Sequence, residues 1–475
     1  MLNPLLAFLT LLPVFGNGET RETETPAPTE CNTNVTAQPK ADSPSELPAD
    51  NVFAAPSSLD FHAPAFDKVR LEHYQPAFML GMQQQLEEMD AIAAEFNAAH
   101  PEAKVELTYV AYDALHDKIV TSVSGDNPAY DVVLVDDIWF AQFADAGWLL
   151  DATDRVDETT KNEIFPAAWE ISTVGGKIYG MPWLLDQKYF FYNTEILAAA
   201  GFDAPPTTWE ELTAMGKVMV EKGLVDYPTT WSWAQAEAAI CDYVTLVFGN
   251  GGELFDVDAK PVFNQGKGVE ALTWMVNSIA DGTSNPASIS SVEEDVRNVF
   301  SQGKVAFASN WVYMYDMAQN NADESLITGK VGMALMPAFQ AAKDAGTASA
   351  TIDGSMGFAV VDKSPNKDLA WEYVKYLTSK PVQTKYSAHL LPMWQTAYAD
   401  GPELDALLAI NPSNPVTVPM FKEQFPFSHV RPKVPYYTEA SLAMQIAIQE
   451  ALSGSKTPQE ALDDAAAKIV EMQTK

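Results

Sequence analysis

The chain predicts an α/β protein of two lobes, each a mostly parallel sheet flanked by helices. Two observations carry that expectation. First, Val69, Leu71 and His73 alternate with Arg70, Glu72 and Tyr74 as in a strand, and Leu86, Met89, Ile92 and Phe96 follow at helical spacing. The pattern repeats through Val105, Leu107 and Tyr109, then Leu115, Ile119 and Val123, up to the unbroken apolar run Val132-Val133-Leu134-Val135. Strand, helix, strand, helix, strand is a parallel opening, and a run without polar alternation suits a strand buried on both faces. Second, residues 176–193 begin at the turn signal Gly175-Gly176, alternate through Ile178, Tyr179 and Met181, and meet Pro182. Proline removes a ladder donor, so the chain is expected to leave one sheet near that point. Leu184 to Tyr192 is again apolar and aromatic, a second buried strand, so the stretch reads as a crossover between lobes.

At 475 residues there is room for two or three domains, and 47% hydrophobic against 20% charged residues marks most of the chain as globular. The net charge of -35, from 64 acids and 29 bases, disfavours nucleic acid, anionic membranes and polyanionic ligands. Cys31 and Cys241 lie in regions too unlike to suggest a disulfide, and no zinc or CxxC spacing occurs, so neither a metal nor a cofactor is expected. Residues 1–18, centred on Leu5-Leu6-Ala7-Phe8-Leu9-Thr10-Leu11-Leu12, suit a signal-peptide core and are short for a membrane span. Against that, no Lys or Arg precedes the run and no small-x-small cleavage site follows. Residues 19–65, rich in Pro, Thr, Glu and Ser, are expected to be a disordered linker.

Past the crossover, Thr207 or Thr208 is expected to cap a helix starting at Trp209-Glu210-Glu211. Further helices are expected over residues 234–248, 268–279, 293–300, 368–377, 440–452 and 458–472, with a strand at Val305-Ala306-Phe307-Ala308. Trp209, Trp371 and Tyr373 sit in helical patterns as packing residues.

Asp136 and Asp137 follow the buried strand, where ligands of open α/β sheets sit. Their carboxylates either accept hydrogen bonds from a hydroxylated ligand, with Trp139 as a stacking face, or one of them caps the next helix. Tyr74 and Gln75 end the first strand at the same sheet edge. Asp186 is an acid in an apolar run, so it is paired, exposed at a kink or ligand-facing. Trp231-Ser232-Trp233-Ala234-Gln235 places two indoles and an amide at the start of a helix. With the two indoles expected on opposite sides, one faces ligand and the other the core, and Glu237 is a further polar candidate. Arg431 either holds a ligand oxygen or binds a carboxylate between lobes. The histidines at 62, 73, 100, 116, 389 and 429 show no partner spacing, and no GxSxG elbow occurs, so no catalytic residue is assigned.

Six ordered blocks carry a family resemblance: Tyr130-Asp131-Val132-Val133, Gly180-Met181-Pro182-Trp183, Phe191-Tyr192-Asn193, Pro205-Pro206-Thr207-Thr208-Trp209-Glu210-Glu211-Leu212, Ala370-Trp371-Glu372-Tyr373-Val374 and Thr457-Pro458-Gln459-Glu460-Ala461-Leu462. From residue 66 to the C-terminus the chain resembles the extracellular solute-binding proteins of ABC importers, in the sugar-binding group that includes the maltose-binding protein. The resemblance implies a periplasmic-binding-protein-like fold with a multi-segment hinge, lobe 1 from residues 66–180 and 332–380, and lobe 2 from residues 181–331 and 381–475. It returns Val331–Met336 and Gly357–Val361 to the first lobe, with crossings near residues 179–183, 329–335 and 377–381. It implies that Asp186 contacts sugar, with Trp183 either beside it or in the core, and that Trp311 stacks on a sugar ring. Gly354-Ser355-Met356-Gly357 matches a glycine-rich turn where many relatives carry an aromatic, so Met356 departs from the pattern. Relatives are often lipid-anchored through a cysteine, but Thr29-Glu30-Cys31 lacks the small and leucine-like residues of such a site.

The implied function is capture of a neutral mono- or oligosaccharide by an extracytoplasmic protein, tethered or free, and its delivery to ABC permease subunits. A monomer is expected, and no enzymatic activity. Two alternatives stand beside it. One is a secreted carbohydrate hydrolase with Asp137 and Asp186 as its carboxylate pair. The other is a binding protein for a peptide or a glycerol phosphate ester, for which Lys188 and Arg431 are the available cations.

Overall fold

The computed structural model describes residues 68–74, 80–101, 103–387 and 391–474. The signal-like segment, the linker, Cys31 and Gln75 lie outside the described residues, and of Tyr74 only the backbone is described.

The opening alternation builds half of a sheet. Strands β1 (Lys68–Tyr74), β2 (Lys104–Val110) and β3 (Val132–Asp136) are separated by helices Leu80–Ala99 and Tyr112–Val123. Strand β1 pairs in parallel with both β2 and β3. Met89, Ile92, Ala93 and Phe96 form one buried helical stripe, and Leu115, Ile119 and Val123 form the other. All five residues of β3 are buried, as its unbroken apolar run requires. Next comes the two-stranded hairpin β4 (Thr173–Val174) and β5 (Lys177–Ile178). Its turn residues Gly175 and Gly176 have φ of 58° and 80°, the left-handed pair that a tight hairpin turn demands.

Strand β6 (Met181–Leu184) does not end at Pro182. It is the edge of the first sheet, where a missing N–H is tolerated, so the crossing falls later, between Leu184 and β7 (Tyr189–Asn193), rather than at residues 179–183. The remaining strands are β8 (Thr229–Thr230), β9 (Phe307–Asn310), β10 (Val331–Ala334), β11 (Thr351–Ile352), β12 (Met356–Val360) and β13 (Ser428–His429). The first sheet has the order β2-β1-β3-β12-β6 and the second β10-β7-β9-β8. Both sheets are mixed. Strand β12 is antiparallel to β3 and β6, and β7 is antiparallel to β9 and β10, leaving β8–β9 as the parallel pair of the second sheet. The two sheets with their flanking helices form two lobes.

Residues 331–336 correct a second expectation. Strand β10 pairs with β7 in the second sheet, not the first. Its Val331 and Met333 are buried, and Gly332 lies so close under the Tyr192 ring that a Cβ would stand 2.2 Å from Cζ. Strand β12, by contrast, lies in the first sheet as expected.

Three segments run side by side between the sheets. Gly354 N donates to Asp186 O at 3.0 Å, and Lys188 N donates to Ile352 O at 3.3 Å. Strand β11 pairs in parallel with β13, and Asp353 N donates to His429 O at 2.8 Å. At the expected third crossing, Leu377 ends helix Lys367–Leu377 and a short helix, Lys380–Lys385, follows.

Helix Trp209–Glu221 is capped by Thr208, whose Oγ1 accepts from Glu211 N at 3.1 Å, while Thr207 donates its hydroxyl to the Glu211 carboxylate at 2.8 Å. Trp209, Trp371 and Tyr373 are buried in the cores as expected.

Candidate functional site

A cleft of about 680 Å³ is lined from both lobes. On the first-lobe side, β3 ends in Asp136, which lines the cleft but is already engaged. Its Oδ2 accepts from Tyr112 Oη at 2.8 Å and its Oδ1 accepts from Arg431 Nη2 at 3.0 Å. Asp137 is buried, does not line the cleft, and accepts from Arg431 at 2.5 Å. Neither acid caps the next helix, Phe140–Asp145, whose N-cap position is Trp139. Trp139 lines the cleft, stacked on Tyr112 with ring centroids 5.6 Å apart.

Arg431 lines the cleft and is bound to carboxylates there. Its Nη1 donates to Glu237 Oε1 at 3.0 Å, so one guanidinium meets three acids. Glu237 also accepts from Tyr437 Oη at 2.7 Å and from the Ser441 hydroxyl. Burial pushes Asp136 up to about 8, with the Arg431 guanidinium opposing the rise and the Asp137 carboxylate adding to it.

Asp186 stands in the crossing segment, half-buried and lining the cleft. Its Oδ1 accepts from Gln187 N at 2.8 Å and from Val312 N at 3.5 Å. Burial raises its pKa to about 8 and Asp353 adds to the rise, against those two backbone donors. Ser355 is buried and does not line the cleft, and its Oγ accepts from Asp186 N at 3.2 Å. It therefore supports Asp186 from behind. Gly354 and Met356 line the cleft, and so does Trp183, edge-on to Phe358 with ring centroids 5.1 Å apart.

On the second-lobe side Trp311 follows β9, partly exposed to the cleft. Its Nε1 donates to Glu293 Oε1 at 3.4 Å, and its backbone N donates to Asn310 Oδ1 at 2.9 Å. Trp231 and Trp233 do not join it. Both are buried in the second-lobe core, stacked on each other at 5.3 Å, and neither lines the cleft. The expectation of opposite sides fails on strand geometry: residues two apart in extended chain share a face. Gln235 and Glu237, past the turn into helix Glu237–Gly249, do line the cleft.

The sequence reading passed over Tyr112, Glu293, Glu294, Tyr313 and Gln383, all of which line the cleft. Glu293 and Glu294 open helix Glu293–Ser301, where acids are ordinary first-turn residues, so nothing local sets them apart. Gln383 is brought in from a remote helix and donates to the Trp183 carbonyl. Among the described residues no group of acids, cysteines and histidines is arranged to hold a metal ion.

A family model for bacterial extracellular solute-binding proteins matches residues 82–384. A Deinococcus radiodurans protein described as a probable ABC transporter-binding protein is 33% identical over 288 residues, 58% of this chain and 65% of its own length. A putative binding protein of Brucella abortus is 24% identical over 386 residues, 80% of this chain and 88% of its own. Among solved structures, maltose-bound MalE3 of T. maritima superposes with a TM-score of 0.75 at 27% identity, over 85% of this chain and 99% of that one. An ABC transporter solute-binding protein from Thermotoga lettingae, bound with α-D-tagatose, gives a TM-score of 0.72 at 26% identity, over 85% and 98% of the two chains.

Proposed function

The chain belongs to the bacterial extracellular solute-binding proteins, and from that premise we propose that it captures a neutral carbohydrate outside the cytoplasm and delivers it to the permease of an ABC importer. The observation that carries this reading is one cleft lined by the indoles of Trp183 and Trp311 and by the carboxyl of Asp186. Aromatic faces take the apolar C–H side of a sugar ring, and the carboxyl and the amides of Gln235 and Gln383 meet its hydroxyls. The maltose and tagatose held by the two solved relatives favour the same ligand class.

The local chemistry weighs against the two alternatives. A carboxylate pair of Asp137 and Asp186 does not face one space, because Asp137 is buried on Arg431 and away from the cleft wall. A phosphate ester needs free cations, whereas Arg431 and Lys188 are both paired with acids. The first lobe is read as the strands up to Leu184 with β12, and the second as β7 to β10 with the C-terminal helices. Closure takes place about the three crossing segments. Outside the cytoplasm the protein works as a monomer without nucleic acid. No helix among the described residues is long and apolar enough to cross a membrane.

A thermal-shift screen of the full chain over mono- and disaccharides, maltose and tagatose included, tests the reading. A true ligand at a hundred times its dissociation constant adds about 2.7 kcal/mol of stability. No shift with any carbohydrate, alongside a shift with a peptide or glycerol phosphate, would overturn it.

A further inference from the structure

Behind the cleft wall lies a charged group that sugar contact does not use. Lys188 Nζ and Asp242 Oδ1 are 2.7 Å apart with both side chains buried. Lys188 Nζ also donates to Ser232 Oγ at 3.0 Å, and Ser232 Oγ donates to Asp242 Oδ2 at 2.9 Å. Burial opposes the Lys188 charge, yet Asp242, with Glu293 and Cys241 adding to it, holds the ammonium above the ordinary lysine pKa. A buried ion pair is a poor device for stability, since apolar residues of similar volume do as well or better. Its position asks for another reason.

That reason is the indole in front of it. Lys188 Nζ lies 5.6 Å from the Trp311 ring centroid, within the range at which a cation is attracted to an aromatic face. Gly354, from the neighbouring crossing segment, adds the space. A Cβ on it would stand 2.4 Å from Trp311 Cη2 and 2.5 Å from Cζ3. The ammonium is thus fixed by two partners, the glycine admits the ring, and Glu293 meets the indole N–H at 3.4 Å.

We propose that Lys188, held by Asp242 and Ser232, is a positioning residue that fixes the orientation of the Trp311 ring in the cleft. The role rests on the reading of Trp311 as the ligand-facing indole.

The test uses the full chain labelled with 5-fluorotryptophan and followed by fluorine NMR, with the Trp311 resonance assigned by its loss in Trp311→Phe. Joint replacement Lys188→Met with Asp242→Leu removes both charges without stranding either. The Trp311 resonance is expected to move and broaden, while those of Trp139, Trp183 and Trp371 in the first lobe stay. Ser232→Ala, a milder change that keeps both charges, should move it the same way by less. Calorimetry with maltose as probe should show about tenfold weaker binding in the double variant, and Lys188→Arg should recover part of it. A pair that serves only stability would lower the melting temperature and leave the Trp311 resonance in place. That outcome, in a folded double variant or in Ser232→Ala, overturns the proposal. If the wild type binds no carbohydrate, the sugar-binding reading fails, and the ligand-free resonance still decides the positioning claim.

Discussion

Arg431 Nη2 lies 3.0 Å from Asp136 Oδ1, and both side chains are almost wholly withdrawn from solvent. The same nitrogen reaches Asp137, and Nη1 reaches Glu237 at 3.0 Å. Asp136 and Asp137 stand at the end of β3 in the first lobe, and Glu237 opens a helix of the second. One guanidinium therefore ties the end of β3 to the start of helix Glu237–Gly249. A planar fork with five donors suits that task, and lysine, a single point charge, does not.

Arg431→Met should accordingly be strongly destabilising, because it leaves the buried Asp136 and Asp137 without their cation. Breaking a buried pair in this way costs about 3–5 kcal/mol. Arg431→Lys should lose less, since a charge remains but the fork does not. Urea unfolding of both variants checks the order. A methionine variant as stable as wild type would mean that the acids take up protons at no cost and that the arginine holds nothing together.

Asp186 makes a prediction with a definite sign. Burial raises its folded-state pKa from 3.8 to about 8. Between those values the folded protein keeps the proton while the unfolded chain has lost it. The carboxyl's contribution is then fully present at low pH and is lost as pH rises through that window. Asp186→Asn removes the titration, so its melting temperature should gain on wild type as pH is raised from about 5 to about 8. The comparison is a pair of pH series by calorimetry without ligand. Parallel curves for the two proteins would place the Asp186 pKa in the same range folded and unfolded.

What was legible in the chain was local. The apolar run of β3, the Phe96 stripe and the Gly175-Gly176 turn each follow from a few neighbouring residues, and each fixes an element without outside help. The errors came where a partner decides. Pro182 breaks a central strand but not an edge one, and only the pairing of β6 with β12 shows which it is. Val331–Ala334 takes its place from Phe190–Asn193, more than a hundred residues earlier. At the site, Asp186 stood out as an acid in apolar surroundings, whereas Glu293 and Gln383 carry no such mark and reach the cleft only through tertiary packing. For Trp231 and Trp233 the fault lay in the geometry applied, not in missing information.

The tryptophans supply the sharpest contrast. Trp311 is partly exposed at the cleft, while Trp231 is 2% exposed in the second-lobe core, its Nε1 donating to Thr229 Oγ1 at 2.9 Å and Ser284 Oγ at 3.0 Å. Truncating a buried tryptophan removes packing and opens a cavity, so Trp231→Ala should cost about 3–5 kcal/mol. It also takes one hydrogen bond from each of the two hydroxyls, which keep Thr283 O and Ser278 Oγ as partners. Trp311→Ala loses a ring that already meets the cleft on one side, so most of the stability should remain while carbohydrate binding falls. Trp311→Phe should keep part of the affinity, because a flat apolar face survives although the indole N–H to Glu293 does not. Melting temperature against calorimetric affinity, measured on all three variants, separates the roles. A folded Trp311→Ala protein that binds carbohydrate as tightly as wild type would take this indole out of the site, and with it the stacking surface on which the second-lobe half of the cleft depends.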